Sequence, residues 1–297
     1  MNHVLSLKKT NKDDSLSIQD NWYARLELEY KKNSQKTVLA RRLHKGPLVV
    51  QKSFYPETDV CHSYLIHPPG GIVGGDILEL DVVLHPDSHA LITSPAANKF
   101  YRSIKSQAFL KQKMKVKSHA SLEWLPQETI FYNECNAAIH TEFDLEDDAH
   151  LTCWEINCFG RPAGNEYFKN GFIKQKISIK RNGLPVYIDR NIFDAKTGIL
   201  DAKWGINNFP VMATMLVTLP SLTQQQFSEA INIDEIEKLQ QHCDKRIISF
   251  TRRDELLIIR YFGYSSREAL EVFTECWTAT RPQLIQKKIC PPRIWAT

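Results

Sequence analysis

The chain repeats itself. Met114, Val116, Ala120, Leu122 and Trp124 are followed 29 residues later by Phe143, Leu145, Ala149, Leu151 and Cys153. In the other direction, Val82 and Leu84 lie 32 residues before Met114 and Val116, and Ala90, Ile92 and Ser94 lie 30 before Ala120, Leu122 and Trp124. Each unit is a strand with alternating apolar and polar residues, a short polar break, and a second strand. The breaks are His85-Pro86-Asp87-Ser88, Lys117-Ser118-His119 and Glu146-Asp147-Asp148. Alternation at period two buries one face of a strand and leaves the other wet. A repeat of about thirty residues is the mark of stacked units that cover one another's apolar faces. Three ordinary hairpins with similar turns would give the same pattern, so both architectures stay open. A fourth copy, from Ile177 and Ile179 to Val186, fits poorly.

Strand patterns are expected at 22–30, 37–44, 48–54, 60–67, 77–84, 89–94, 107–117, 119–125, 129–133, 137–145, 149–156, 171–181, 184–190, 211–219 and 255–262. Two helices are expected. One opens on a capping box, Thr223 with Gln226, and covers about 222–243; the other opens on Ser265 with Glu268 and covers 265–281, where Pro282 should end it. The fold class is therefore all-β dominated, β-helix-like or an open stacked-strand sandwich, with a small C-terminal helical element. Residues 1–20 are expected to be a flexible tail and 21–297 a single domain.

The net charge is +4, small and spread along the chain, so no polyanion-binding footprint stands out and no nucleic-acid partner is expected. Lys111, Lys113, Lys115 and Lys117 put four cations on one strand face; it is either simply solvated or meets an acidic protein. The longest solid apolar stretch, Phe209 to Leu219, has Pro210 as its second residue and Pro220 just after it, and is about half a membrane span. No membrane association and no signal peptide are expected. Seven cysteines, an odd number in a long chain, favour reduced thiols and a cytoplasmic location. No Cys-x-x-Cys pair or helical His-x-x-x-His commits to a tight metal site.

The irregular segments carry the candidate chemistry. Pro68-Pro69-Gly70-Gly71 cannot be strand interior, and Gly74-Gly75-Asp76 leads into the strand at Ile77. Either these turns need glycine geometry, or backbone amides and the Asp76 carboxylate converge at one end of a sheet. The glycines match no nucleotide loop, so the chain is expected to hydrolyse no nucleotide. Lys99 and Tyr101 share one strand face, with Arg102 beside them. Glu123, Glu128 and Glu155 flank Trp124 and Trp154, where partial desolvation would raise a carboxylate's proton affinity and suit it to weak cation binding. Equally, these carboxylates could pair with Arg102 or Arg161 as plain structure.

Six blocks in order then resemble one known family. They are His67–Asp76, Ala90–Ser103, Glu123–Ile130 (with Gln127 in Leu-Pro-Gln-Glu-Thr), Trp154-Glu155 before Gly160-Arg161-Pro162-Ala163-Gly164, Asp189-Arg190, and the terminal Pro292–Thr297. Together they resemble the urease accessory protein family UreD, called UreH in some organisms, from about residue 22 to the last. One departure is Ala96-Ala97, where the family turn would carry a glycine.

The resemblance implies a β-helix-like stack with a small helical part. It implies a cytoplasmic chaperone-scaffold, not an enzyme, that binds UreF and UreG and docks them on apo-urease for Ni²⁺ delivery. UreG supplies the GTPase, and an internal tunnel is proposed for the metal. A conduit must release Ni²⁺, so isolated carboxylates, carbonyls and water suit it better than a Cys/His cage. Asp76, Glu123, Glu128 and Glu155 are accordingly the expected tunnel or mouth residues. Gly70, Gly71, Gly74, Gly75, Lys99, Tyr101, Arg102, Gln127 and Arg161 are expected to support that path or form a partner surface. No cofactor is expected to be tightly held; nickel would pass transiently. The rival readings are a β-helix carbohydrate-active enzyme with paired carboxylates, such as Asp76 with Glu155, and a purely structural adaptor.

Overall fold

In a computed structural model, the residues described are 22–103, 106–220, 241–243 and 245–296. They form a β-solenoid flattened between two large sheets. In the first sheet, β1 (Tyr23–Lys32), β5 (Ile77–Leu84), β8 (Ala108–Val116), β11 (Asn136–Leu145) and β14 (Phe172–Arg181) run parallel, edged by antiparallel β2 (Thr37–Lys45) and β15 (Leu184–Asp194). In the second, β4 (Cys61–Ile66), β6 (His89–Thr93), β9 (Ser121–Trp124) and β12 (His150–Arg161) run parallel. That sheet is extended by antiparallel β16 (Val211–Thr218), β19 (Leu256–Gly263), β18 (Arg246–Arg253) and β17 (Gln241–Cys243), and at its other edge by β3 (Val49–Val50).

The sequence repeat is the register. Val82 pairs with Met114 and Met114 with Phe143; Leu84, Val116 and Leu145 form the next row. In the second sheet the rows are Ala90, Leu122, Leu151 and Ile92, Trp124, Cys153. All of this pairing is parallel, so the units are stacked coils and not hairpins. The polar breaks are the corners, where Asp87, His119 and Asp147 adopt left-handed φ of 61°, 60° and 40°. Asp and His tolerate that region better than β-branched residues do.

The poor fourth copy has a physical meaning. β14 does take its place beside β11, with Ile179 against Phe143. Asn182 and Gly183 then turn at φ 51° and 80°, sending the chain back antiparallel as β15. An Asn-Gly pair is a hairpin turn, not a corner, so the stack ends there.

A third, narrow face was not foreseen as part of the repeat. β7 (Asn98–Phe100), β10 (Thr129–Phe131) and the end of β12 pair in parallel and align Phe100, Phe131 and Phe159. Their rings stack at 5.5 and 6.0 Å. The short strand β13 (Glu166–Tyr167) adds to β12 beyond it.

One core fills the space between the sheets. A second lies between the outer face of the second sheet and helix α1 (Ser266–Ile285). The helix begins as expected: Ser265 Oγ accepts the Glu268 amide at 3.2 Å. Its stripe of Ala269, Val272, Phe273, Cys276 and Trp277 is buried. Pro282 does not end it; the helix runs on to Ile285 and stops at Gln286, φ 53°. The proline removes one backbone bond, but Arg281 before it is fixed by charged hydrogen bonds to Glu123 of β9 and to the loop residue Glu57, which hold the last turn in place. The expected helix at 222–243 lies outside the described residues except for 241–243, which are strand; the tail at 1–20 lies outside them too. The strand β18 was missed.

Candidate functional site

Strand alternation sends Glu155 and Asn157 of β12 into the space between the sheets, and Trp154, Ile156 and Cys158 out toward the helix. Facing Glu155 from the first sheet are Gln112, Thr141 and Gln175, three polar residues on otherwise apolar strand faces. The Thr141 hydroxyl lies 2.9 Å from Glu155 Oε1 and 3.1 Å from Gln112 Oε1, so it donates to one of them at a time. Gln175 Nε2 donates to Glu155 Oε2 at 2.8 Å and to Asn157 Oδ1 at 3.2 Å. Along the second sheet Glu155 is level with Thr214, and Thr214 with Arg260. Arg260 reaches across to Tyr187 and Asp189 of β15, at 3.0 and 3.1 Å.

These groups make a polar line through the interior. At one end, Arg260 and Asp189 are partly exposed, at 36% and 18% of their side chains. At the other, Gln112 lines a cavity of about 40 Å³ with His67, Thr93, Ser94 and Asn98. A second cavity of about 90 Å³ shares His67, Ser94 and Asn98 and reaches Gly70, Gly71 and Lys99 at the surface. Burial pushes the Glu155 carboxyl up to about 7, and the charge of Asp189 adds to the effect, while the hydrogen bonds from Thr141 and Gln175 oppose it. A carboxylate with that proton affinity is part-protonated near neutral pH. It binds a cation only in competition with a proton, which makes it a weak and reversible ligand. Among the described residues, no group of three or more His, Cys, Asp or Glu is placed to hold a metal ion.

Glu123 has the opposite character. It is fully buried on the other face of the second sheet, under α1. Its oxygens accept from His89 Nε2 (2.7 Å), Trp277 Nε1 (2.6 Å) and Arg281 Nε and Nη2 (3.0 and 3.1 Å). Arg281 also binds Glu57 at 2.9 and 2.7 Å, and Glu57 meets His62 at 2.8 Å. Burial opposes the charge on Glu123, yet the His89 and Arg281 partners hold its carboxyl well below the usual range. This is a sealed ion network that fastens the helix.

The UreD urease accessory protein family matches residues 23–296. This chain belongs to that family. A UreD urease accessory protein of Aliivibrio fischeri is 38% identical over 279 residues, 93% of this chain and 96% of that protein. One of Citrobacter koseri is 39% identical over 276 residues, 93% and 92% of the two chains. One of Alkalilimnicola ehrlichii is 33% identical over 282 residues, 94% and 93%.

The four carboxylates singled out in the sequence stand in different surroundings and do not lie along one line. Asp76 is buried, and its two oxygens accept the backbone amides of Trp22 (3.1 Å) and Val73 (3.0 Å), so it fixes the entry to β5. Glu128 lies at the narrow face, and Ile130 two residues on packs on the helix side; burial first, and then the charge of Glu128, push the Cys158 thiol up to about 12. Only Glu155 belongs to the polar line. Trp154 is not what desolvates it, because the two side chains point to opposite faces of β12.

The glycines serve the turn. A Cβ on Gly71 would sit 1.9 Å from the Tyr101 ring, and Gly75 has φ 92°. Gly70 opens on the surface cavity beside Lys99, and Gly74 packs under Ser103. Tyr101 itself leans on Tyr132 at 5.1 Å. Gln127 uses its backbone amide to bind Ser94 Oγ at 3.1 Å. Arg102 pairs with Glu134 and Arg161 with Glu166, at 2.5 and 3.2 Å, both near the surface. The terminal motif is structural: Trp295 packs against Trp154 and Trp277 at 5.5 and 5.9 Å.

Sequence reasoning missed Gln112, Thr141, Gln175 and Arg260. The signal was there: Gln112, Thr141 and Gln175 each occupy an inward position of a strand whose other inward residues are apolar. Asp189 was noted only as part of a family motif.

Proposed function

We propose that this chain is a urease maturation scaffold that binds UreF and UreG, docks them on apo-urease, and passes Ni²⁺ along the inter-sheet polar line. Membership of the urease accessory family supports the maturation role and a non-enzymatic one. The observation that carries the metal path is Glu155. It is a carboxylate of raised proton affinity, set among amides and hydroxyls, on a polar line that runs from Arg260 to the cavities at His67. Oxygen ligands of this kind hold a divalent ion briefly, whereas thiolate–imidazole sets would retain nickel. Here Asp76 acts as a turn cap, Glu123 fastens the helix, and Glu128 stands outside the route. A cytoplasmic site of action goes with this reading; no helix among the described residues is long and apolar enough to cross a membrane.

The carbohydrate-enzyme reading needs two free carboxylates across one cleft. Asp76 has both oxygens committed to amides, and Glu123 and Glu155 face opposite sides of a sheet. The test is co-expression of Glu155→Gln with UreF, UreG and apo-urease. The accessory complex should assemble normally while the urease it matures carries less nickel. Full loading would leave a bare adaptor as the better description.

A further inference from the structure

The outer face of the first sheet is covered by no helix or strand among the described residues, and its rows are ordered. Tyr23, Ile77, Phe109, Ala138, Lys174 and Ile192 stand side by side across six strands. Ala138 is buried, but Tyr23, Ile77, Phe109 and Ile192 are exposed by 39%, 40%, 42% and 54%. Large apolar side chains in register on an open face are a different matter from singly scattered ones. The next row toward the corners is Arg25, Glu79, Lys111, His140, Lys176 and Arg190. Its one acid, Glu79, is occupied by the Tyr23 hydroxyl (2.8 Å) and Lys111 (3.4 Å), and Arg25 is paired with Glu27 and Asp81 at 3.0 Å, so the open positive charge of the row lies at its Lys176 end. Among the described residues, Lys174 and Lys176 pair with no carboxylate. The resulting positive field is felt by His140: burial lowers its proton affinity first, and Lys176, Lys111 and Lys174 lower it further.

We propose that these two rows are a docking strip for an amphipathic helix of a protein partner, its apolar stripe on the Tyr23–Ile77–Phe109–Ile192 row and an acidic flank on the basic row. The dimensions fit. Six strands at about 4.8 Å spacing make a strip about 24 Å long, and a helix rising about 1.5 Å per residue covers that in about 16 residues. A helix lying across strands meets one row with one stripe and the adjacent row with the next. Charge selects an acidic helix over a basic one, and makes the contact salt-sensitive. The strip lies outside the inter-sheet polar line, so it stands or falls independently of the nickel path.

The test uses the full chain and a synthetic helix of about 18 residues, Leu on one stripe and Glu on the flank, with a Lys-for-Glu version as control. Fluorescence anisotropy should show the Glu helix binding, with affinity falling as salt rises. Phe109→Ser, at an exposed position, and Lys176→Glu, at a half-buried one on the same open face, should each weaken it about tenfold, while circular dichroism and melting of the chain stay unchanged. Absence of binding, equal binding of the Lys helix, or indifference to both substitutions overturns the proposal. So does light scattering that shows a dimer of the chain dispersed by Phe109→Ser, which would assign the strip to a second copy.

Discussion

Glu123 and Arg281 are 158 positions apart in the chain and 3.0 Å apart in the fold, both fully buried. This contact joins the middle of the β stack to the C-terminal helix. Removing one member would leave a charge without its partner in the interior, typically costing about 3–5 kcal/mol. Arg281→Met should therefore lower the urea midpoint sharply. Glu123→Gln with Arg281→Met together should recover part of the loss, because Glu123 no longer leaves a stranded charge, while Glu57 keeps only His62.

The same network sets an acid limit. Glu123 has its proton affinity lowered in the folded state, so its contribution is present above the unfolded carboxylate range and is lost as pH falls into and below it. Unfolding followed from pH 6 to pH 2 should show an acid-induced loss of stability that is much reduced in the Glu123→Gln, Arg281→Met double variant.

Glu155 predicts the reverse dependence. Its carboxyl is raised from 4.5 to about 7, so folding favours the protonated form. Stability from that group is full below pH 4.5 and declines as pH rises through 7, by about 3 kcal/mol in all, an order-of-magnitude figure at 1.36 kcal/mol per tenfold change. Glu155→Gln should stay level across this window and be the more stable protein at pH 8. Urea midpoints of both proteins at pH 5 and pH 8 check the sign.

Gly71 and Tyr101 form a testable pair. An added methyl at Gly71 would overlap the tyrosine ring. Gly71→Ala should lower the melting temperature, and Gly71→Ala in a Tyr101→Ala background should lower it less. Equal penalties in both backgrounds would mean the backbone, not the ring, demands the glycine.

The β stack was legible because its inward rows repeat in the sequence: Met114 and Phe143 are neighbours in space for the same reason they are 29 apart. The Phe100, Phe131, Phe159 ladder escaped notice because three-residue strands carry too few alternations to register as a pattern. Phe131 sits between the other two rings and is 1% exposed, so Phe131→Ala should cost about 3–5 kcal/mol of folding stability. The site was legible in part. Glu155 was singled out, but residue type alone could not separate it from Glu123, because which face of a strand a carboxylate occupies depends on register. Its neighbours Thr141 and Gln175 come from other coils and carry no motif of their own.

The most direct measurement is nickel per active site in urease matured with Glu155→Gln, beside Glu128→Gln as a carboxylate off the route, with both accessory complexes sized to confirm assembly. A deficit with Glu155→Gln alone is the predicted result. Equal nickel from both variants and from the unaltered chain would contradict an inter-sheet path for the metal.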